Sequence, residues 1–149
     1  MSSPRSVRFE DAVLARLDAY VRSHPHVSVS SVVNSLVDEA LRLADHPGVV
    51  FRDGPTGRRA ALADGPDVWE VVSALRDVTA EDAAGPTGEA LVSELAEVTG
   101  LSARQVRAAA RYYAAYPDEV DVRIAANRAA AEREEQLWRA ERTVLRHSA

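Results

Sequence analysis

Ser6-Val7-Arg8-Phe9 alternates polar and apolar side chains, the period of a half-buried β-strand, and the next strand-forming stretch lies about forty residues further on. Directly after it the pattern turns helical. From Asp11, the residues Val13, Leu14, Leu17, Tyr20 and Val21 recur at helical spacing until His24-Pro25-His26 interrupts them. Ser28 is a suitable N-cap for a second helix with Val32, Val33, Leu36, Val37, Ala40 and Leu41 on its apolar face. A lone strand leaves its backbone donors and acceptors without a ladder, and a core of ~40 residues is marginal by itself. Two copies solve both problems. Their strands would pair antiparallel, and four helices would bury their faces beneath the ribbon.

Charge narrows the choice of partner. The 149 residues carry a formal net charge of −5, which argues against a broad nucleic-acid-binding surface. All 18 basic residues are arginines, a bias that GC-rich coding produces without selection for chemistry. The distribution is uneven, however. Up to Phe9 the only charges are Arg5, Arg8 and the α-amine, all positive, so a local DNA contact is compatible with the acidic total. No run approaches the ~20 apolar residues of a membrane span, and MSSPRSVRFED lacks a signal-like apolar segment. With no cysteine for disulfides or thiolate zinc sites, the expected setting is the cytoplasm.

Past Asp45 the pattern changes. Val49-Val50-Phe51 and Arg59-Ala60-Ala61-Leu62 flank the turn-rich Asp53-Gly54-Pro55-Thr56-Gly57, which predicts a β-hairpin. Gly65-Pro66-Asp67 opens a helix with Pro66 near its first position, bearing Val68, Trp69, Val71, Val72 and Leu75. The stretch Ala80–Gly88 reads as a loop. Thr87 then caps a helix that Gly100 ends, and Ser102 with Gln105 forms a capping box for the next. After Pro117 a last helix, from about Asp118 to Arg146, spaces Ile124, Ala131, Trp138 and Leu145 by seven. The fold class is therefore mainly α with short β elements. Its parts are a dimerising segment (1–45), a hairpin and helix-turn-helix segment (46–127) and a terminal amphipathic helix (128–149).

The run SVRFEDAVLARLDAYV, a turn, and VSVSSVVNSLVDEALR resembles the ribbon-helix-helix repressors of the Arc, MetJ and CopG type. That resemblance implies an obligate homodimer through the N-terminal strand, with the paired strands in the major groove of double-stranded operator DNA. The alternating base-reading positions fall on Pro4, Ser6 and Arg8. Arginine pairs bidentately with guanine and serine serves either base. Pro4 departs from the pattern because it has no side-chain donor, which shifts base reading towards Arg5. The resemblance also implies a phosphate clamp at Ser28, Val29, Ser30 and Ser31, where first-turn N–H groups and the helix dipole face an anion. A plain helix cap accounts for Ser28 without DNA.

A second signal lies further on. Ala96, Gly100 and Val106 match the small residue, turn glycine and buried aliphatic of a helix-turn-helix. The helix after it places Arg104, Arg107 and Arg111 on one face with Tyr112 beside them, a second DNA surface or a solvated arginine face. HPGVVFRDGPTGRRAAL, GPDVWEVVSAL and GLSARQVRAAARYYAAYPDEVD together resemble a small VapB-like antitoxin domain found beside PIN-type toxins. This implies a toxin partner, a metal-dependent ribonuclease whose acidic site an arginine-bearing tail masks. Trp138, Arg139, Arg142 and Arg146 on the last helix are the corresponding toxin-contact candidates, with docking onto its own domain or a coiled coil as the alternatives.

Nucleophile elbows, P-loops and H-E-x-x-H are absent, and the four histidines include two flanking a turn proline. No enzyme, cofactor or metal site is expected. The leading expectation is an autorepressor acting as the antitoxin of a PIN-type ribonuclease. The competing ones are a stand-alone regulator whose C-terminal part oligomerises or senses a ligand, and a pure protein-interaction module.

Overall fold

The computed structural model describes residues 6–81 and 85–147. The chain divides into two compact units, Met1–Asp45 and His46–Ala149. Among the described residues, six helices and one two-stranded antiparallel sheet make a mainly helical protein with short β elements.

The first unit contains α1 (Asp11–Ser23) and α2 (Val29–Asp45). At the end of α1 the Ser23 hydroxyl donates to the Tyr20 carbonyl at 2.8 Å, and the Tyr20 and His24 rings stack at 4.2 Å. Proline then turns the chain. α2 opens on a reciprocal cap: Ser31 N–H donates to Ser28 Oγ at 3.1 Å and Ser28 N–H donates to Ser31 Oγ at 3.1 Å. The alternating segment ahead of α1 forms no strand in the single chain, where residues 6–10 have no ladder to join. Only Leu17 and Val32 are buried among the described apolar side chains of this unit.

The second unit starts with β1 (Val49–Arg52) and β2 (Arg59–Leu62), registered Val49 to Leu62 and Arg52 to Arg59. Gly57, at φ 94°, supplies the left-handed turn residue that a side chain would resist. Arg52 clasps the far end of the hairpin by donating to the carbonyls of Gly65 at 3.0 Å, Leu62 at 2.5 Å and Ala63 at 2.9 Å. Helix α3 (Val68–Glu81) begins two residues after Pro66, so Pro66 stands ahead of the helix rather than in its first turn. The Asp67 carbonyl takes the first amide bonds instead, from Glu70 and Val71. α3 also runs into the predicted loop as far as Glu81.

α4 (Gly88–Thr99) follows Thr87 at the cap position, without a side-chain cap bond, and ends at Gly100, whose φ of 72° closes the helix. Ser102 and Gln105 make the complete capping box of α5 (Ala103–Ala115). α6 (Pro117–His147) has proline at its first position, where no helical N–H is lost. Leu62, Val68, Val72, Leu95, Val106 and Tyr112 are the largest of the fully buried side chains, drawn from sheet, α3, α4 and α5. α6 contributes Val120 and Ile124 to this core, whereas residues 131–146 are all exposed. It crosses residue 127 without a break, so the tail from 128 is a continuation of the helix, not a separate element.

Candidate functional site

In the first unit the helices present apolar side chains to solvent. Leu36, Val37 and Leu41 of α2 are 45%, 53% and 62% exposed, and Leu14, Tyr20 and Leu43 are exposed as well. With only Leu17 and Val32 buried, the described part of this unit has a marginal core of its own. Ser6 and Arg8 are exposed, as are Val7 and Phe9 between them; Pro4 and Arg5 lie outside the described residues. At the start of α2 the Ser28 and Ser31 hydroxyls are engaged in the cap, and Ser30 offers its carbonyl to Asn34 Nδ2 at 2.9 Å. The N–H groups of Val29 and Ser30 have no hydrogen-bond partner among the described residues.

On α5 the arginine face is only partly available. Arg104 and Arg111 are exposed, but Arg107 is half-buried and ion-paired with Glu89 of α4. Tyr112 is not on that face. It is fully buried, its hydroxyl donates to Glu119 Oε1 at 3.0 Å, and its ring packs against His46, Phe51 and Tyr116. The reason is periodicity: Val106, Ala109 and Tyr112 recur every three residues and share the core-facing side of α5. That spacing is visible in the sequence and outweighs adjacency to Arg111.

The tail candidates share one exposed stretch of α6. Trp138 is 54% exposed, and the Arg142 guanidinium lies 4.7 Å from its ring centre. Arg139 pairs with Glu135 at 2.5 Å, one turn earlier. Leu137 and Leu145 are 66% and 64% exposed, so the apolar stripe meets solvent throughout.

A cleft of about 1070 Å³ in the second unit was not legible from sequence, because its walls come from three separated segments. The hairpin loop gives Pro55 and Thr56, the start of α3 gives Asp67, Trp69 and Glu70, and α6 gives one face from Asp118 to Arg133. Asp67 organises the floor. It is buried, accepts from Arg59 Nε, and accepts from the Trp69 indole N–H at 3.2 Å. Arg59 Nη1 is buried without a hydrogen-bond partner among the described residues, under Gly54. A methyl group at Gly54 would collide with that guanidinium. Gly54→Ala should therefore push Arg59 off Asp67 and cost about 1–3 kcal/mol, the scale of a buried polar group losing its partner. Thermal melting checks this, and an unchanged midpoint would mean the guanidinium has room to swing aside.

Arg76 of α3 donates to the Tyr113 hydroxyl and to Asp121, which ties α3 to α5 and α6. The Tyr113 bond first, and then the Asp121 bond, hold the Arg76 guanidinium above its ordinary pKa. Among the described residues no group of three or more His, Cys, Asp or Glu side chains is placed to hold a metal ion. No described helix is long and apolar enough to cross a membrane. Comparison with protein-family models, with characterised proteins and with solved structures gave no match.

Proposed function

We propose that the protein is a homodimeric, sequence-specific DNA-binding autorepressor of the ribbon-helix-helix kind that serves as the antitoxin of a PIN-type ribonuclease. The observation that carries the reading is the first unit's exposed apolar surface together with its unpartnered leading segment. Leu36, Val37 and Leu41 open to solvent on α2 are what a four-helix dimer core would take up, and Val7 and Phe9 are what would face it from a paired ribbon. With those two residues turned inward, period-2 alternation turns Ser6 and Arg8 outward, towards a major groove. The two unengaged N–H groups at the start of α2, reinforced by the helix dipole, suit a backbone phosphate. Of the four clamp positions, Val29 and Ser30 keep free amide donors, since the hydroxyls of Ser28 and Ser31 serve the cap.

Arg8→Ala should leave folding and dimerisation unchanged and weaken specific operator binding by about 1–3 kcal/mol, roughly 5- to 150-fold in Kd. A gel-shift titration on the DNA upstream of the protein's own gene reads this directly. Wild-type affinity in that variant would overturn the ribbon reading.

The antitoxin half of the proposal rests on the tail. A helix with exposed Trp138, Leu137 and Leu145 beside Arg139, Arg142 and Arg146 suits a partner groove that is apolar and edged with carboxylates. Truncation after Asn127 should abolish neutralisation of the toxin's ribonuclease activity while operator binding survives. Equal inhibition by full-length and truncated protein would move the toxin contact into residues 46–127. Trp138→Ala should cost more than any one arginine substitution, because desolvated aromatics anchor such contacts.

A further inference from the structure

The solvent side of α5 is built from two residue types. At ~3.6 residues per turn, Arg104, Arg107 and Arg111 share it with Ala110, Ala114 and Ala115, opposite the buried Val106, Ala109 and Tyr112. The helix holds three of the chain's 18 arginines and none of its 23 acidic residues, so it is positive in a chain of net charge −5. Arg104 and Arg111 are exposed, with no hydrogen bond or ion pair among the described residues. Glu89 is the one described acid that meets this face, on Arg107. That carboxylate is 77% exposed, and a pair so open to water exchanges readily for another anion.

The face has charge but no apolar anchor. Tyr112 and Tyr113 both turn towards the core, which leaves alanine as the largest apolar side chain between the arginines. Protein interfaces centre on buried aromatic and apolar anchors, and single strands are held by bases stacked on exposed rings. A duplex backbone needs neither, because arginine meets phosphate through charged, bidentate hydrogen bonds. The alanines keep the surface low between the guanidiniums, so a backbone can come close. Spacing agrees. Arg104 to Arg111 rises ~10 Å along the helix, and a DNA strand alongside presents a phosphate about every 3.4 Å.

We propose that the arginine–alanine face of α5 is a second, sequence-independent contact with duplex DNA, made to the phosphate backbone. This rests on the DNA-binding reading of the first unit, which supplies a tether. The second unit starts at His46, directly after the last residue of α2, so a ribbon seated on DNA holds α5 at high local concentration around the same duplex. A contact too weak to act by itself then adds to the affinity of the whole chain. Phosphate contacts carry no base information, so the operator is still chosen by the ribbon.

The test is the affinity of the full chain across a salt series, on the duplex upstream of its own gene and on a scrambled duplex of equal length. Arg104→Gln combined with Arg111→Gln changes two exposed side chains and should leave the melting midpoint in place. It should flatten log Kobs against log salt by about 0.9 per lost contact, roughly 3–4 for a dimer, and equally on both duplexes. Arg104→Lys combined with Arg111→Lys should keep the wild-type slope, since phosphate accepts either cation. A slope untouched by the glutamine pair, or flattened on one sequence only, overturns the proposal. If the slope is untouched but toxin neutralisation is lost, the face belongs to an acidic protein. Operator preference without an α5-dependent slope sinks this contact and leaves the ribbon standing. An α5-dependent slope without operator preference does the reverse, and a full chain that binds neither duplex sinks both.

Discussion

Val7→Asp should abolish both dimerisation and operator binding, with no loss of helix in the monomeric first unit below that of the wild-type monomer. Val7 is 67% exposed in the single chain, so a carboxylate there meets water and disturbs no intramolecular packing. In a paired ribbon the same side chain turns towards four helices, and burying an unpaired charge costs several kcal/mol. The penalty therefore belongs to the interface alone. Sedimentation equilibrium should report a monomer mass for the variant against a dimer mass for the wild type, and gel shifts should show no specific complex. If Val7→Asp dimerises and binds DNA normally, the leading segment is not an intermolecular strand.

Tyr112→Ala should be the most damaging single truncation in the second unit, at about 3–5 kcal/mol, with the midpoint of its melting lowered by roughly 15 °C or more. The ring is fully buried and meets His46 at 5.3 Å, Tyr116 at 4.8 Å and Phe51 at 6.4 Å between centroids. It thereby joins the first residue of the unit, the sheet and α5 in one cluster. Tyr112→Phe isolates the polar part. It keeps the ring and removes the bond to Glu119, for a cost of about 1 kcal/mol. Differential scanning calorimetry of the three proteins separates the two contributions. Equal melting of wild type and Tyr112→Ala would contradict the packing described for this core.

Elements with local causes were legible in the sequence. The hairpin, the Ser102–Gln105 capping box, the Gly100 stop, the Ser28 cap and the proline breaks were all readable. Each is encoded by residues close in the chain, within one turn for the caps and stops and within one strand–turn–strand stretch for the hairpin, so local spacing reveals it. Tyr112 sits in the core and not beside Arg111 because neighbours on a helix face outrank neighbours in sequence. The Arg107–Glu89 pair was hidden because it joins two helices, 18 residues apart. The cleft was hidden for the same reason on a larger scale: Asp67 beneath Arg59 and Trp69, opposite α6, is a product of tertiary packing. The strand pattern at Val7 was readable, yet the single chain cannot express it. On the proposed ribbon reading, its hydrogen-bond partner would be a second molecule.

The 31 residues of α6 have a further consequence, for how the exposed turns come to be helical at all. An excised peptide of ~20 residues from its solvent end would be a marginal helix in water, because starting the first turn is the expensive step. In the intact chain that step is taken where Val120 and Ile124 enter the core, and every later turn only propagates it. Order in the arm is thus borrowed from the body. Amide hydrogen exchange should slow steadily from the last turn back towards Ile124, in a gradient and not a plateau. On heating, the arm should lose its helix no later than the core that seeds it.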